Sequence, residues 1–96
     1  MIVQRFNFSD RNYQDPVYKD WRIKILKRDR FRCRFPKCSI KGKKKLHVHH
    51  IRQWADYPTL RFDINNGITL CAEHHKMIKG QEEYYVKLFI YILING

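Results

Sequence analysis

The stretch LHVHHI, Leu46–Ile51, answered downstream by NNGITLC, Asn65–Cys71, decides how this chain folds. LHVHHI opens with the apolar/polar alternation of a half-covered strand. ITLC, behind the turn pair Asn66-Gly67, reads as a second short strand, and the residues from Ala72 onward favour helix. The local order is therefore strand, long loop, strand, helix. Neighbours in a strand point to opposite faces, so His49 and His50 cannot readily bind one ion and have separate jobs. One of them can ligate a divalent cation together with His75 of the helix. The other stays metal-free and neutral, able to take a proton from water.

Cysteine spacing adds a second centre. Cys33 and Cys38 form a C-x4-C pair, and Cys71 with His74 forms C-x2-H. Two short-spaced pairs on separate turns can close a tetrahedron around a structural zinc ion, Zn2+, with no open position. His75, next to His74, points about a quarter-turn away on a helix, so one short helix can serve both centres. Three cysteines are an odd number and argue against a disulfide framework.

Outward from the hairpin, the 96 residues leave room for one domain, small enough to need a staple such as a metal. Residues 1–14 are polar with scattered aromatics and read as an N-terminal arm, leaving 15–96 as the domain. Asp15-Pro16 supplies a helix N-cap and first-turn proline. Behind it Val17, Tyr18, Trp21, Ile25 and Leu26 fall near one face of a basic amphipathic helix ending near Arg30. CRFPKC is a tight knuckle and SIKGKKK a basic loop. RQWADYPTLRFDINNG, with Pro58, is an ordered loop. Gly80 ends or breaks the downstream helix before a second one opening with Gln81, Glu82 and Glu83. The run Tyr84–Ile94 is too short to span a bilayer and carries Lys87, so it is core or interface. The start lacks the order of a secretory signal, which points to an intracellular, cytoplasmic protein. Twenty Lys+Arg against nine Asp+Glu give a net charge of +11, which favours a polyanionic partner, nucleic acid before an anionic membrane.

The blocks RDRFRCRFPKC, LHVHHI and NNGITLCAEHH, in this order, resemble the HNH endonuclease family, in particular its small free-standing members common in bacteriophages and prophages. The match runs from about Tyr18 to Ile78. It implies an α+β fold of the ββα-metal (His-Me finger) type, with a zinc-binding knuckle and flanking helices. It further implies a metal-dependent endonuclease that hydrolyses phosphodiester bonds of double-stranded DNA, and low sequence specificity is expected separately because phosphate contacts position a duplex without reading it. Carried onto this chain, the resemblance makes His50 the general base, His49 and His75 the ligands of a catalytic Mn2+, Mg2+, Ni2+ or Zn2+, and Asn66 the loop-steadying N of the family name. Asn65 is its rival. It also implies a bacterial host cell and an association with the phage terminase or other packaging proteins.

The sequence departs from the family in two places. His74 stands where a cysteine is usual, and the first cysteine pair has four intervening residues where two are commoner. His47 shares strand parity with His49 and is either an outer ligand or, as favoured from sequence, a surface or phosphate-contacting residue. Arg28, Arg30, Arg34, Lys43, Lys44, Lys45, Arg52 and Arg61 are the candidate DNA contacts, most of them positioning a duplex without reading it. The competing reading is a non-catalytic, zinc-stabilised DNA-binding module, which leaves His49, His50 and His75 unexplained as a set. An RNA-directed enzyme of the same motif differs only in substrate.

Overall fold

The computed structural model describes residues 13–42 and 45–96. The arm expected over residues 1–14 lies almost wholly outside them, as do Lys43 and Lys44. Helix α1 spans Pro16–Arg28 and opens as its sequence dictates: the Asp15 carboxylate accepts from the Val17 N–H at 2.8 Å, and Pro16 occupies the first turn. Tyr18, Trp21, Ile25 and Leu26 form its buried face. Val17, expected there, is 54 % exposed. The helix stops two residues before the expected Arg30. Phe31 N–H reaches Leu26 O at 2.9 Å and Arg30 N–H reaches Lys27 O at 3.0 Å, a Schellman closure in which Arg30 takes the left-handed position at φ 57°.

The knuckle then folds on itself, with Cys33 N–H bonded to Ile40 O at 2.9 Å and Arg32 bridging to Lys41. Strands β1 (Leu46–His50) and β2 (Gly67–Cys71) form a two-stranded antiparallel sheet pairing His50 with Gly67, His49 with Ile68 and Leu46 with Cys71. Helix α2 (Ala72–Met77) follows without a linker. Gly80 breaks the chain at φ +83°, a conformation glycine adopts without strain, and α3 (Glu82–Asn95) opens with two acidic residues in its first turn.

The sheet is covered on both sides. The His50 face meets α1 through Tyr18 and Trp21, while the His49 face meets α2 through His75 and α3 through Phe89. Val86 and Phe89 bury the inner face of α3, whereas Tyr84, Tyr91 and Ile94 stay exposed, so the apolar run is partly core and partly surface. Among the described residues no helix is long and apolar enough to cross a membrane.

Two details fix α1 to the hairpin. Gly67 lies so close to α1 that a Cβ there would collide with the Ile25 side chain and the Trp21 ring, which is the packing reason for glycine after Asn66. Asp29, 3 % exposed at the C-cap, accepts from Arg28 at 2.8 Å, from Arg34, and from the Thr69 N–H at 3.0 Å. Burial alone would raise its carboxyl. The hydrogen bond and charge of Arg28, with the Thr69 N–H, outweigh burial and hold it below the ordinary 3.8.

Candidate active site

Cys33, Cys38, Cys71 and His74 bring their ligand atoms within 4.8 Å of one another. Cys38 Sγ lies 4.0 Å from Cys71 Sγ, and His74 Nδ1 lies 3.3 Å from Cys71 Sγ and 3.7 Å from Cys33 Sγ. A tetrahedral zinc with ordinary bond lengths separates sulfur from sulfur by about 3.8 Å and sulfur from nitrogen by about 3.6 Å. The set therefore fits. The knuckle supplies the first pair and the β2–α2 junction the second, where Cys71 Sγ also accepts from the His74 N–H at 3.5 Å. Phe35 stacks on the His74 ring at 4.2 Å and fixes which edge it presents. Burial, chiefly, pushes the Cys33 thiol up to about 12, so without a cation Cys33 stays protonated.

The second centre lies on the outer side of the hairpin. His49, 7 % exposed, faces His75 of α2 with ring centroids 5.7 Å apart, and His47 faces the same His75 at 5.0 Å. Two imidazoles on one ion place each ring centre about 3.2 Å from it, hence about 4.5 to 5.5 Å from each other for ordinary angles. The His49/His75 pair needs only a slight closing to share a cation. All three rings line an open cavity of about 830 Å3 whose wall also holds His50, Arg22 and Glu82.

His50 lies on the α1 side of the strand, as alternation requires. Its ring stacks on Trp21 at 4.1 Å and meets Trp54 edge-on at 5.4 Å. With only 4 % of the residue exposed and its Nδ1 buried, it is more enclosed than the sequence suggests, although it forms part of the cavity wall. Its Nε2 lies 2.9 Å from the carbonyl oxygen of Arg61. A carbonyl only accepts, so Nε2 carries a proton, and in the neutral ring the lone pair is on Nδ1. That carbonyl is the orienting partner that sequence reading missed, because a main-chain oxygen has no residue identity to recognise.

Asn66 explains how the carbonyl is held in place. Buried at 5 % exposure, its side chain accepts from the Arg52 N–H at 2.8 Å and donates to Arg52 O and Leu60 O, each at 3.1 Å. It thereby pins the start and the middle of the loop 51–66 to the loop's own end. Asn65, its rival, is exposed, and its N–H is capped by Asp63 at 2.8 Å. Trp21 Nε1 donates to Asp63 O at 2.9 Å, and Arg61 Nε donates to Trp54 O at 2.7 Å with its guanidinium 4.5 Å over the Trp54 ring. The loop is short 3-10 turns at Pro58–Leu60 and Ile64–Asn66, tied rather than regular.

The candidate phosphate contacts divide by their partners. Arg28 donates to Ile64 O, Gly67 O and Asp29, and Arg34 pairs with Asp29, so both guanidinium groups brace the fold. Arg61 braces the loop. Arg52 lies 3.7 Å from Glu83 and 5.5 Å from the Tyr57 ring centre, partly open to solvent. Arg30 and Lys45 are exposed.

No curated protein and no solved structure matches the chain. Residues 33–81, which carry both pairs of zinc-type ligands, the hairpin, the loop tied by Asn66 and the helix with His75, match the model of the HNH endonuclease family. That segment is half of the chain and contains both centres, so this protein belongs to the HNH endonuclease family of nucleases.

Proposed function

We propose that this chain is a metal-dependent endonuclease that hydrolyses phosphodiester bonds of double-stranded DNA. One observation carries the reading: the rings of His49 and His75 lie 5.7 Å apart on the cavity wall while His50, on the same wall, is held through Nε2 by the Arg61 carbonyl, which makes Nδ1 the nitrogen that takes a proton. A divalent cation held by His49 and His75 would supply charge to a non-bridging phosphate oxygen and to the departing O3′. His50 Nδ1 takes one proton from a water whose oxygen forms the new bond to phosphorus. The P–O3′ bond breaks, O3′ leaves with the electron pair and takes a proton from solvent, and the ends are 3′-hydroxyl and 5′-phosphate. Trp21 and the Arg61 carbonyl keep the imidazole from turning during that transfer, and Asn66 keeps the loop that supplies the carbonyl from drifting. Imidazole donors favour Mn2+, Ni2+ or Zn2+, with Mg2+ recruited where phosphate completes its oxygen shell. Zn2+ in the Cys3His set would be structural.

The test is supercoiled plasmid incubated with zinc-reconstituted protein and each of these ions, beside His50→Ala. Conversion to open circles or linear DNA by the parent chain, lost in the variant, is expected. Equal DNA binding by both with no cutting would instead leave a DNA-binding module.

A further inference from the structure

His47 is the one histidine of the five to which the zinc set, the two-ligand site and the general base assign no part. It sits two positions before His49 on β1, so both project from the same face of the strand, and both face His75. Its ring centroid lies 5.0 Å from that of His75 with the planes 24° apart, inside the range of about 4.5 to 5.5 Å that two imidazoles on one ion require. The His49/His75 pair, at 5.7 Å, lies just outside that range. As placed, the His47 ring stacks on His75 and the ligand atoms of the three rings do not yet converge within 4.8 Å, so ligation requires the exposed His47 side chain to turn out of that stack.

Resting on the nuclease reading above, we infer that His47 is a third protein ligand of the cavity cation, making a three-imidazole face from a strand His-x-His pair and one helix histidine. Three nitrogen donors leave the remaining positions open to water and phosphate, the donor count of a catalytic rather than a structural site. They also shift selectivity: imidazole suits nickel, cobalt and zinc, whereas magnesium prefers oxygen. The chain should hold late first-row ions tightly and magnesium weakly, and His47 should account for much of the difference. Glu82, the carboxylate on the same cavity wall, is the rival third donor.

The experiment uses the full chain with one equivalent of zinc in the Cys3His set, titrated with Co2+ by calorimetry and followed by proton NMR. Three hyperfine-shifted imidazole N–H signals are expected in the parent chain and two in His47→Ala. The variant should bind Co2+ at least about tenfold more weakly, the low end of what losing even an outer partner costs a metal site. Its Co2+ to Mg2+ affinity ratio should fall as well. Unchanged signals and affinity in His47→Ala, with loss in His49→Ala and His75→Ala, would overturn the third ligand and leave the nuclease reading standing. A loss confined to Glu82→Gln, or a His47→Ala defect seen only in metal-free DNA binding, would overturn it equally. No Co2+ binding beyond the zinc set in the parent chain would remove both readings.

Discussion

At the scale of single residues, the opposite facing of His49 and His50 follows from strand parity, and the two rings meet different partners. His50 is gripped by Trp21 and by the Arg61 carbonyl, so its tautomer is fixed before any substrate arrives. Replacing it with alanine should lower turnover by roughly 10²- to 10⁴-fold, the usual worth of general-base catalysis, with DNA affinity and Co2+ affinity unchanged in the same preparations. Asp29 plays the opposite kind of role. It touches no substrate-facing group, yet two arginines and the Thr69 N–H converge on its fully buried carboxylate. Asp29→Asn leaves those cations without their anion, a change that typically costs about 3 to 5 kcal/mol and would be read from urea denaturation. Because the folded carboxyl titrates below its ordinary 3.8, its contribution is complete above that value and is lost as the pH falls through the lowered one. The deficit of the variant should therefore stay constant near neutral pH and shrink only in acid.

At the scale of elements, what was legible in the sequence was whatever local chemistry enforces. The Asp15-Pro16 cap, the strand over Leu46–His50 and the Gly80 break each appear where the residues place them, whereas Gly67, read with Asn66 as a turn pair, is extended at φ −131° and already opens β2 behind the 3-10 turn Ile64–Asn66. The convergence of Cys33, Cys38, Cys71 and His74 was legible too, because their spacing limits which side chains can meet. Less legible was anything carried by main chain or by long-range pairing: the Arg61 carbonyl on His50, the Arg28 clamp on Ile64 and Gly67, and the enclosure of His50 by Trp21. The end of α1 was misplaced for a physical reason. A non-glycine residue rarely takes the left-handed cap, yet Arg30 does so at φ 57°. Arg30→Gly should thus stabilise the fold by about 1 kcal/mol, the cost of left-handed backbone for a residue with a Cβ, seen as a higher urea midpoint with unchanged slope. The knuckle makes a sterner demand. Phe31, Phe35 and Ile40 pack it against the core, and Cys33 and Cys38 would share an ion with Cys71 and His74 of the β2–α2 junction. Structural zinc contributes roughly 10 to 16 kcal/mol of apparent binding free energy, comparable to the whole stability of a domain this small. Stripping the ion with a strong chelator should unfold the chain cooperatively by circular dichroism, and zinc, not magnesium, should restore it.

At the scale of the whole molecule, the net charge of +11 is the term that brings the chain to DNA, but charge does not act uniformly across it. A cation lends affinity by displacing condensed counterions only if its head reaches a phosphate, and each such contact contributes about −0.9 to the slope of log K against log salt. Arg28 and Arg34 spend their donors on carbonyls and on Asp29 inside the fold, whereas Arg30 and Lys45 project into solvent. The basic residues around the knuckle therefore fall into two groups that composition cannot separate. Arg30→Ala and Lys45→Ala should each weaken binding to a DNA duplex and reduce the salt slope by about one, with the same loss on any sequence, since phosphate contacts position without reading bases. Arg28→Ala and Arg34→Ala should leave the slope of the folded protein unchanged and lower the urea midpoint instead. Fluorescence anisotropy across a salt series, beside denaturation of the same four variants, distinguishes the groups. A reduced slope for Arg28→Ala would mean that its hydrogen bonds to the loop give way when DNA arrives, making the clamp on Ile64 and Gly67 part of substrate binding rather than of the resting fold.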